Sequence, residues 1–372
     1  MPQLATYDLE FHSGLHLGTR GLNLEESSPY VPADTLFSSL VHAWRYTGGD
    51  AAAWCSAFLA DPPFLITSAF PRAGQVRFYP MPVDLSHWFE AQTLHLRGKE
   101  LKRIRFISEG VLRALLDGRL LDDLLFPQDE YKEPSAGMAL QGGAFWMLFE
   151  ERKQLPQSLN LPGKWYALRR SSVYSSQQTP RVTIDRITSS STLFHIGRTQ
   201  FSPGCGLWFG IEWRDPDQEI GGLPFRDAFL KALAWLQDEG LGGDRAAGYG
   251  AFGWRAGSTV MLPDSPGDRP ALLLSRYLPS NVELEQGVLG GDRVAYRLAR
   301  IGGYLHSPDA IAQPRRQITF ITEGSTVQDF GAPAGILVDL RPAAGGRHFP
   351  HPVYRYGFAL FAGIGEKEHT GG

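Results

Sequence analysis

Apolar and polar positions alternate over residues 4–17, LATYDLEFHSGLHL, and predict an opening strand. After Pro32 the period becomes helical. Ala33, Asp34 and Thr35 open a helix with Asp34 or Thr35 as N-cap, Leu36, Phe37, Leu40, Val41 and Trp44 form its buried side, and Gly48 and Gly49 end it. Residues 62–83 read as two short strands, and residues 98–125 as helical with a basic run. Residues 171–201 read as a long β-hairpin arm, and GLWFGIEW (206–213) as a core strand. Phe225, Phe229, Leu233 and Leu236 recur at helical spacing and predict a helix over 225–238, followed by a short aromatic strand over 250–255. Gly, Pro and Asp cluster at 257–269 and mark a boundary, beyond which strands are expected near 271–280, 317–321, 336–340 and 354–362. The pattern is that of an α+β protein with two domains, 1–258 and 268–372.

The segment joining the predicted helix to its following strand is GLGGDRAAGYG, Gly240 to Gly250, with five glycines in eleven residues. Glycine lets backbone N–H groups approach a ligand and permits positive φ, so the segment is a candidate anion nest with Arg245 inside it. It is not a P-loop, which precedes its helix and carries Lys-Ser or Lys-Thr. It is not a dinucleotide fingerprint either, because Arg245 stands where the third glycine belongs. The plainer reading is a helix cap at Gly240 followed by a turn.

Composition narrows the function. The 372 residues carry 36 Lys+Arg against 39 Asp+Glu, a net charge of -3, so any nucleic-acid surface has to be a local patch. Two cysteines, Cys55 and Cys205, offer no disulfide framework and no cysteine metal site, which suits a reducing cytoplasm. No signal-peptide pattern, membrane-length apolar run, cofactor motif or metal-ligand spacing stands out.

Several stretches together resemble one family. They are LHLG at Leu15–Gly18, VPADTLFSSLVHAW at Val31–Trp44, PRVTIDR at Pro180–Arg186, the glycine-rich loop, and, in the second half, LLLSRYLPS, RRQITFITEGS and HPVYRYGFAL. In this order they resemble the RAMP superfamily, and more narrowly the fourth Csm subunit of type III-A CRISPR effector complexes, which caps the crRNA 5′ end. The resemblance implies two ferredoxin-like (RRM-like) domains with inserted helical and hairpin segments. It implies a non-catalytic role in which the chain grips the crRNA 5′ tag, docks the large polymerase/nuclease subunit and adjoins a backbone RAMP subunit. One departure is visible: Ala246 and Ala247 stand where the superfamily loop often has small hydroxyl residues.

Within that frame Gly242, Gly243, Arg245, Gly248, Tyr249 and Gly250 are candidate RNA contacts. Arg181 and Arg186, flanking Asp185, are candidate phosphate ligands or a surface ion pair. His12, Ser13, His16 and Arg20 lie at the end of the opening strand, on the expected RNA path or simply exposed. Thr35 and Ser38, with Ser39, start a helix whose free N–H groups can bind phosphate or be capped. Backbone RAMP subunits cleave target RNA through a loop aspartate, and Asp34 can be read that way, but its place at the helix start is explained by capping alone. His42 carries the rival reading, a metal-independent CRISPR RNA-processing endoribonuclease with a histidine acid or base in the first helix. Lys99, Lys102, Arg103 and Arg105 are a solvated basic face or a contact. His351, Arg355 and Tyr356 belong to the inter-domain face or the RNA groove.

Overall fold

A computed structural model describes residues 2–18, 27–129, 131–160, 165–184, 191–265, 267, 269–307, 310–341, 349 and 351–365. Arg20, Asp185 and Arg186 lie outside the described residues. Strand β1 (Gln3–Phe11) is followed by helices α1 (Ala33–Tyr46) and α2 (Ala51–Ala60) and by strands β2 (Phe64–Ile66), β3 (Phe70–Ala73) and β4 (Val76–Pro80). Next come α3 (Ala91–Leu101), β5 (Phe106–Ser108), α4 (Glu109–Leu116), β6 (Gly137–Leu140), β7 (Phe145–Leu148) and the single turn α5 (Trp165–Leu168). The long pair β8 (Tyr174–Ile184) and β9 (Ser191–Phe201) leads to β10 (Cys205–Trp213), β11 (Glu219–Ile220), β12 (Leu223–Pro224), α6 (Phe225–Glu239), β13 (Phe252–Ala256) and β14 (Val260–Met261). The second half holds β15 (Pro270–Leu273), α7 (Asn281–Glu285), β16 (Leu298–Ile301), β17 (Tyr304–Ser307), β18 (Ala310–Pro314), β19 (Ile318–Ile321), β20 (Thr326–Gln328), β21 (Leu337–Asp339), β22 (Tyr354–Tyr356) and β23 (Phe361–Gly363).

The main sheet runs β13-β1-β10-β3-β4-β5-β7-β6, with β14 also paired to β1 and β2 to β10. Its pairs are antiparallel except β5–β7. Helices α1 and α6 pack on each other. Phe229 of α6 lies against Tyr7 of β1 at 5.4 Å and Phe209 of β10 at 6.4 Å between ring centroids. Phe225, Phe229, Leu233 and Leu236 are all fully buried, as their spacing predicts. Burial of each such side chain contributes about 1.5–3 kcal/mol, so this one stripe fixes the helix to the sheet.

The second half joins the same core. Strand β15 and the residue after it alternate: Leu272 and Leu274 enter the large cluster, whereas Ala271 and Leu273 enter a smaller one with Tyr277, Ile321 and Val327. Tyr356, Phe358 and Leu360 also reach the large core, with Tyr356 5.0 Å from Phe37 of α1.

Several expected boundaries move. The opening strand stops at Phe11, and Leu15 instead bridges Thr199 of β9. The segment 98–125 is not one helix: β5 divides α3 from α4, because the buried Phe106 and Ile107 pair with Tyr79 and Pro80 of β4. Residues 62–83 make three strands, since residues 64–66 and 70–73 take separate places along β10. Residues 354–362 divide between β22 and β23.

Candidate nucleic-acid interface

Helix α6 ends at Gly240, and the glycine-rich loop returns the chain to β13. Its glycines serve close backbone contact. A Cβ on Gly250 (φ +81°) would lie 2.0 Å from the Leu241 carbonyl oxygen, and one on Gly242 (φ +90°) 2.3 Å from that of His16. Three N–H groups expected to face a ligand donate inside the protein instead: Gly243 to His16 O, Gly250 to Gly14 O and Gly248 to Arg245 O. Those three donors are spent inside the fold, and Arg245 is the charged side chain the loop offers to an anion. Arg245 is partly exposed and ion-pairs with Glu239 at 3.5 Å.

The hairpin β8–β9 is fastened to this loop. Arg181 donates to Asp244 at 3.4 Å and lies 5.9 Å over the Tyr249 ring. Hydrogen bonding to Thr179 first, then to Arg181, draws the Tyr249 hydroxyl below the ordinary tyrosine pKa. Asp244 holds a left-handed backbone conformation, φ 57°. His16, expected on the RNA path, is buried, and its Nδ1 lies 2.6 Å from Gly197 O of β9. Its main chain takes up the Gly243 N–H, so His16 ties hairpin and loop together. His12 is exposed; Ser13 is half-buried, and its hydroxyl lacks a hydrogen-bond partner among the described residues.

Beside this junction the hairpin, the α1 entrance and the second half enclose a cleft of roughly 1230 Å³. Its described walls include Arg105, Arg198, Arg276, Arg300 and Arg315, with no aspartate or glutamate. They also include Thr35, Ser176, Gln177, Gln178, Tyr30 and Leu298. Of the described residues expected to touch RNA, Thr35 lines this cleft, as does Arg105 of the basic run; the glycine-rich loop stands next to it. The sequence reading missed Arg198, Arg276, Arg300 and Arg315. Arg198, Arg276 and Arg315 fall within stretches quoted above and Arg300 within none, and arginine spacing along the chain gives no sign that distant segments converge.

The cleft floor rests on a buried ionic cluster. Asp34 is fully buried; Oδ1 accepts from Arg276 at 3.0 Å and Oδ2 from Arg355 at 3.2 Å. Glu323 lies 3.9 Å from Arg276 and accepts hydrogen bonds from Tyr30 and Ser68. Burial acts to lower the Arg276 pKa, but Asp34 and Glu323 outweigh it and hold the guanidinium more firmly protonated than usual. Burial lowers Arg355, with Asp34 opposing.

Neither Asp34 nor Thr35 caps α1. The N-cap is Pro32 without a side-chain bond, and the Ala33 N–H donates to Ser68 Oγ at 2.8 Å. The Asp34 carboxylate is committed to the two arginines. Ser38 turns to the same cluster, donating to Asp34 O at 2.8 Å and accepting from Arg355 at 3.2 Å.

His42 sits on the outer side of α1 against Tyr46, 4.7 Å away, and Trp235, 6.1 Å away. Burial first, then the Arg245 charge, lower its pKa. Lys99 is exposed on the last turn of α3, whereas Lys102, Arg103 and Arg105 are exposed beyond the helix, and Arg105 turns to the cleft. His351 is half-buried near the end of the second half.

With this geometry in hand, comparison with known proteins is decisive on family. A model described as the RAMP superfamily matches residues 8–253. The chain belongs to the RAMP superfamily. A second model, the CRISPR Csm4 C-terminal domain, matches residues 268–364 and places this RAMP protein among the Csm4 proteins. Curated relatives described as "CRISPR system Cms protein Csm4" include one from Methanocaldococcus jannaschii, 23% identical over 351 residues, covering 90% of this chain and 87% of the relative. Another, from Mycobacterium tuberculosis, is 25% identical over 356 residues, covering 94% and 95%. Among solved structures, a chain of a Csm3-Csm4 subcomplex of the type III-A CRISPR-Cas interference complex matches with TM-score 0.64 at 18% identity, covering 97% of this chain and 99% of that one. A chain of a Csm1-Csm4 cassette in complex with pppApA matches with TM-score 0.56 at 18% identity, covering 99% and 100%. At such identities these structures show a common fold.

Proposed function

We propose that this RAMP protein is a non-catalytic crRNA-binding subunit of a type III-A CRISPR interference complex in the cytoplasm. It holds the repeat-derived 5′ tag in the arginine-lined cleft and docks the large polymerase/nuclease subunit and an adjacent backbone RAMP subunit. The observation that carries the reading is the cleft itself: five arginines and, among the described residues, no carboxylate in its lining, in a chain whose net charge is -3. Phosphates are what such a lining attracts, and aromatic and amide groups beside it suit splayed single-stranded bases. The partner assignment rests on the Csm3-Csm4 and Csm1-Csm4 assemblies that share the fold.

The order β13-β1-β10-β3, with α1 and α6 as crossovers, supports a ferredoxin-like first domain over 1–258. For 268–372, the sheet β20-β15-β23 and the short helix α7 support a reduced version of the same plan. In this reading Arg245, Arg181, Tyr249, His12, Ser13 and Thr35 form the rim of the RNA path, while Gly242, Gly243, Gly248, Gly250, His16 and Ser38 shape it. Arg20 and Arg186 extend the set of proposed contacts.

The non-catalytic assignment draws on Asp34, whose two carboxylate oxygens are both engaged, and on His42, packed among aromatic rings beside a cation. The rival endoribonuclease reading has no comparable support. Ultraviolet crosslinking of the assembled complex tests the reading. Tag nucleotides should crosslink to peptides from the hairpin and from residues 298–302. Crosslinks confined to other subunits would mark the chain as a protein adaptor.

A further inference from the structure

Gln177 of β8 and Arg198 of β9 are directly opposed across the hairpin, and both line the cleft. The Arg198 guanidinium donates twice to one atom, Gln177 Oε1, from Nε at 3.0 Å and from Nη2 at 2.6 Å. An arginine has donors only, so the glutamine must offer its carbonyl, and two donors fill that oxygen's two lone pairs. The remaining capacity of the side chain is its amide NH2, a pair of donors with no acceptor. The clamp is also anchored. A Cβ on Gly14 would come within 2.9 Å of Arg198 Cδ, so the absence of a side chain there gives the arginine stem its place against the backbone that follows β1.

We propose that Gln177, oriented by Arg198, is a base-reading residue of the cleft. It presents donors only and selects, at one position of the bound RNA strand, a nucleotide that turns an acceptor edge toward the hairpin. This rests on the reading of the cleft as the RNA site and adds what that reading lacks, a source of sequence preference. The arginines around it meet phosphates and hold the strand without regard to sequence; base edges supply the discrimination. Ser176 and Gln178 also line this wall, but the two bonds to Gln177 Oε1 settle which way that one amide faces.

The test reconstitutes the full complex on RNA pools randomised one tag position at a time, and sequences the RNA before and after capture. Wild type should enrich acceptor-edge bases at one position by about tenfold, within what a good base contact supplies. Gln177→Glu keeps an acceptor for Arg198 but has no donors, and the enrichment should fall below about twofold. The carboxylate offers acceptors only, so any preference that remains should turn toward donor-edge bases. Arg198→Met frees the amide to rotate, and should also flatten the preference. An unaltered enrichment in Gln177→Glu, or a wild type without preference at every position, overturns the proposal. Arg300→Ala/Arg315→Ala separates the two levels. If that variant holds RNA as wild type does, the cleft is not the RNA site and both readings fall. If it loses RNA while Gln177→Glu keeps full discrimination, only the base-reading role falls.

Discussion

Asp34 Oδ1 accepts a hydrogen bond from Arg276 at 3.0 Å, joining residues 242 positions apart in the chain. With Arg355 and Glu323, these residues link four of the stretches on which the family resemblance rests: ADTL, LLLSRY, FITEG and YRYG. The shared feature behind those stretches is one buried contact between the two halves. Asp34, which could be read from the sequence as a cutting residue or a cap, is a structural anion.

Asp34→Ala leaves two arginines buried beside an empty site. Removing one partner of a buried ion pair costs about 3–5 kcal/mol, because the remaining charge keeps its desolvation penalty. Chemical denaturation should show a loss of that order, and Asp34→Asn, which retains some hydrogen bonding, a smaller one. A change under about 1 kcal/mol in Asp34→Ala would contradict the cluster's role, being what exposed pairs give.

Two glycines separate backbone angle from crowding. Gly248 has φ +83° with nothing within 4 Å of a built Cβ, whereas Gly250 has φ +81° with the Leu241 oxygen 2.0 Å away. Gly248→Ala should cost about 1 kcal/mol through the angle alone. Gly250→Ala should cost clearly more and loosen the loop in hydrogen exchange. Equal costs would mean that the close approach does not constrain the loop.

His42 should titrate below the ordinary histidine value, because burial and Arg245 disfavour the imidazolium. In the unfolded chain it binds its proton at higher pH than in the folded one. The contribution to stability is therefore present above the unfolded pKa of about 6.5 and is lost as pH falls through the folded value. His42→Gln should flatten that part of the pH–stability curve and leave RNA retention unchanged. Repeat RNA incubated with the protein and EDTA should stay intact; cleavage that disappears in His42→Gln would revive the endoribonuclease reading.

Arg181→Ala removes the tie from the hairpin to Asp244 and Tyr249. The pair is partly exposed, so the stability change should stay within about 1 kcal/mol. The Tyr249 hydroxyl should titrate closer to an ordinary tyrosine, and the hairpin should be cut faster in limited proteolysis. Unchanged proteolysis would mean that the His16–Gly197 contact and the Leu15–Thr199 bridge hold the arm without it.

Much of the fold was legible along the chain. The α6 stripe, the hairpin and strand β10 follow from period and composition, because each buries a continuous face. Boundaries failed where long-range pairing overrides local preference: β5 interrupts a helical run by joining β4, and Leu15 leaves β1 for β9. The site was less legible. The glycine-rich loop stands out in sequence, but its Gly243 and Gly250 N–H groups turn inward to His16 and Gly14, a fact held in backbone geometry. The cleft arginines come from β5, β9, β15, β16, β18 and their flanks, and the packing of the second half on α1 brings those of the two halves together.

The central claim is that the cleft between the two halves grips the RNA strand through its arginines. Salt titration of crRNA release from the assembled complex, wild type against Arg300→Ala/Arg315→Ala, tests it most directly. Each phosphate contact on a single strand contributes about 0.7 to the slope of log affinity against log salt. Loss of two should reduce the slope by about 1.4 and weaken retention equally across sequences. A double variant that assembles normally and keeps the wild-type slope and retention would contradict the account.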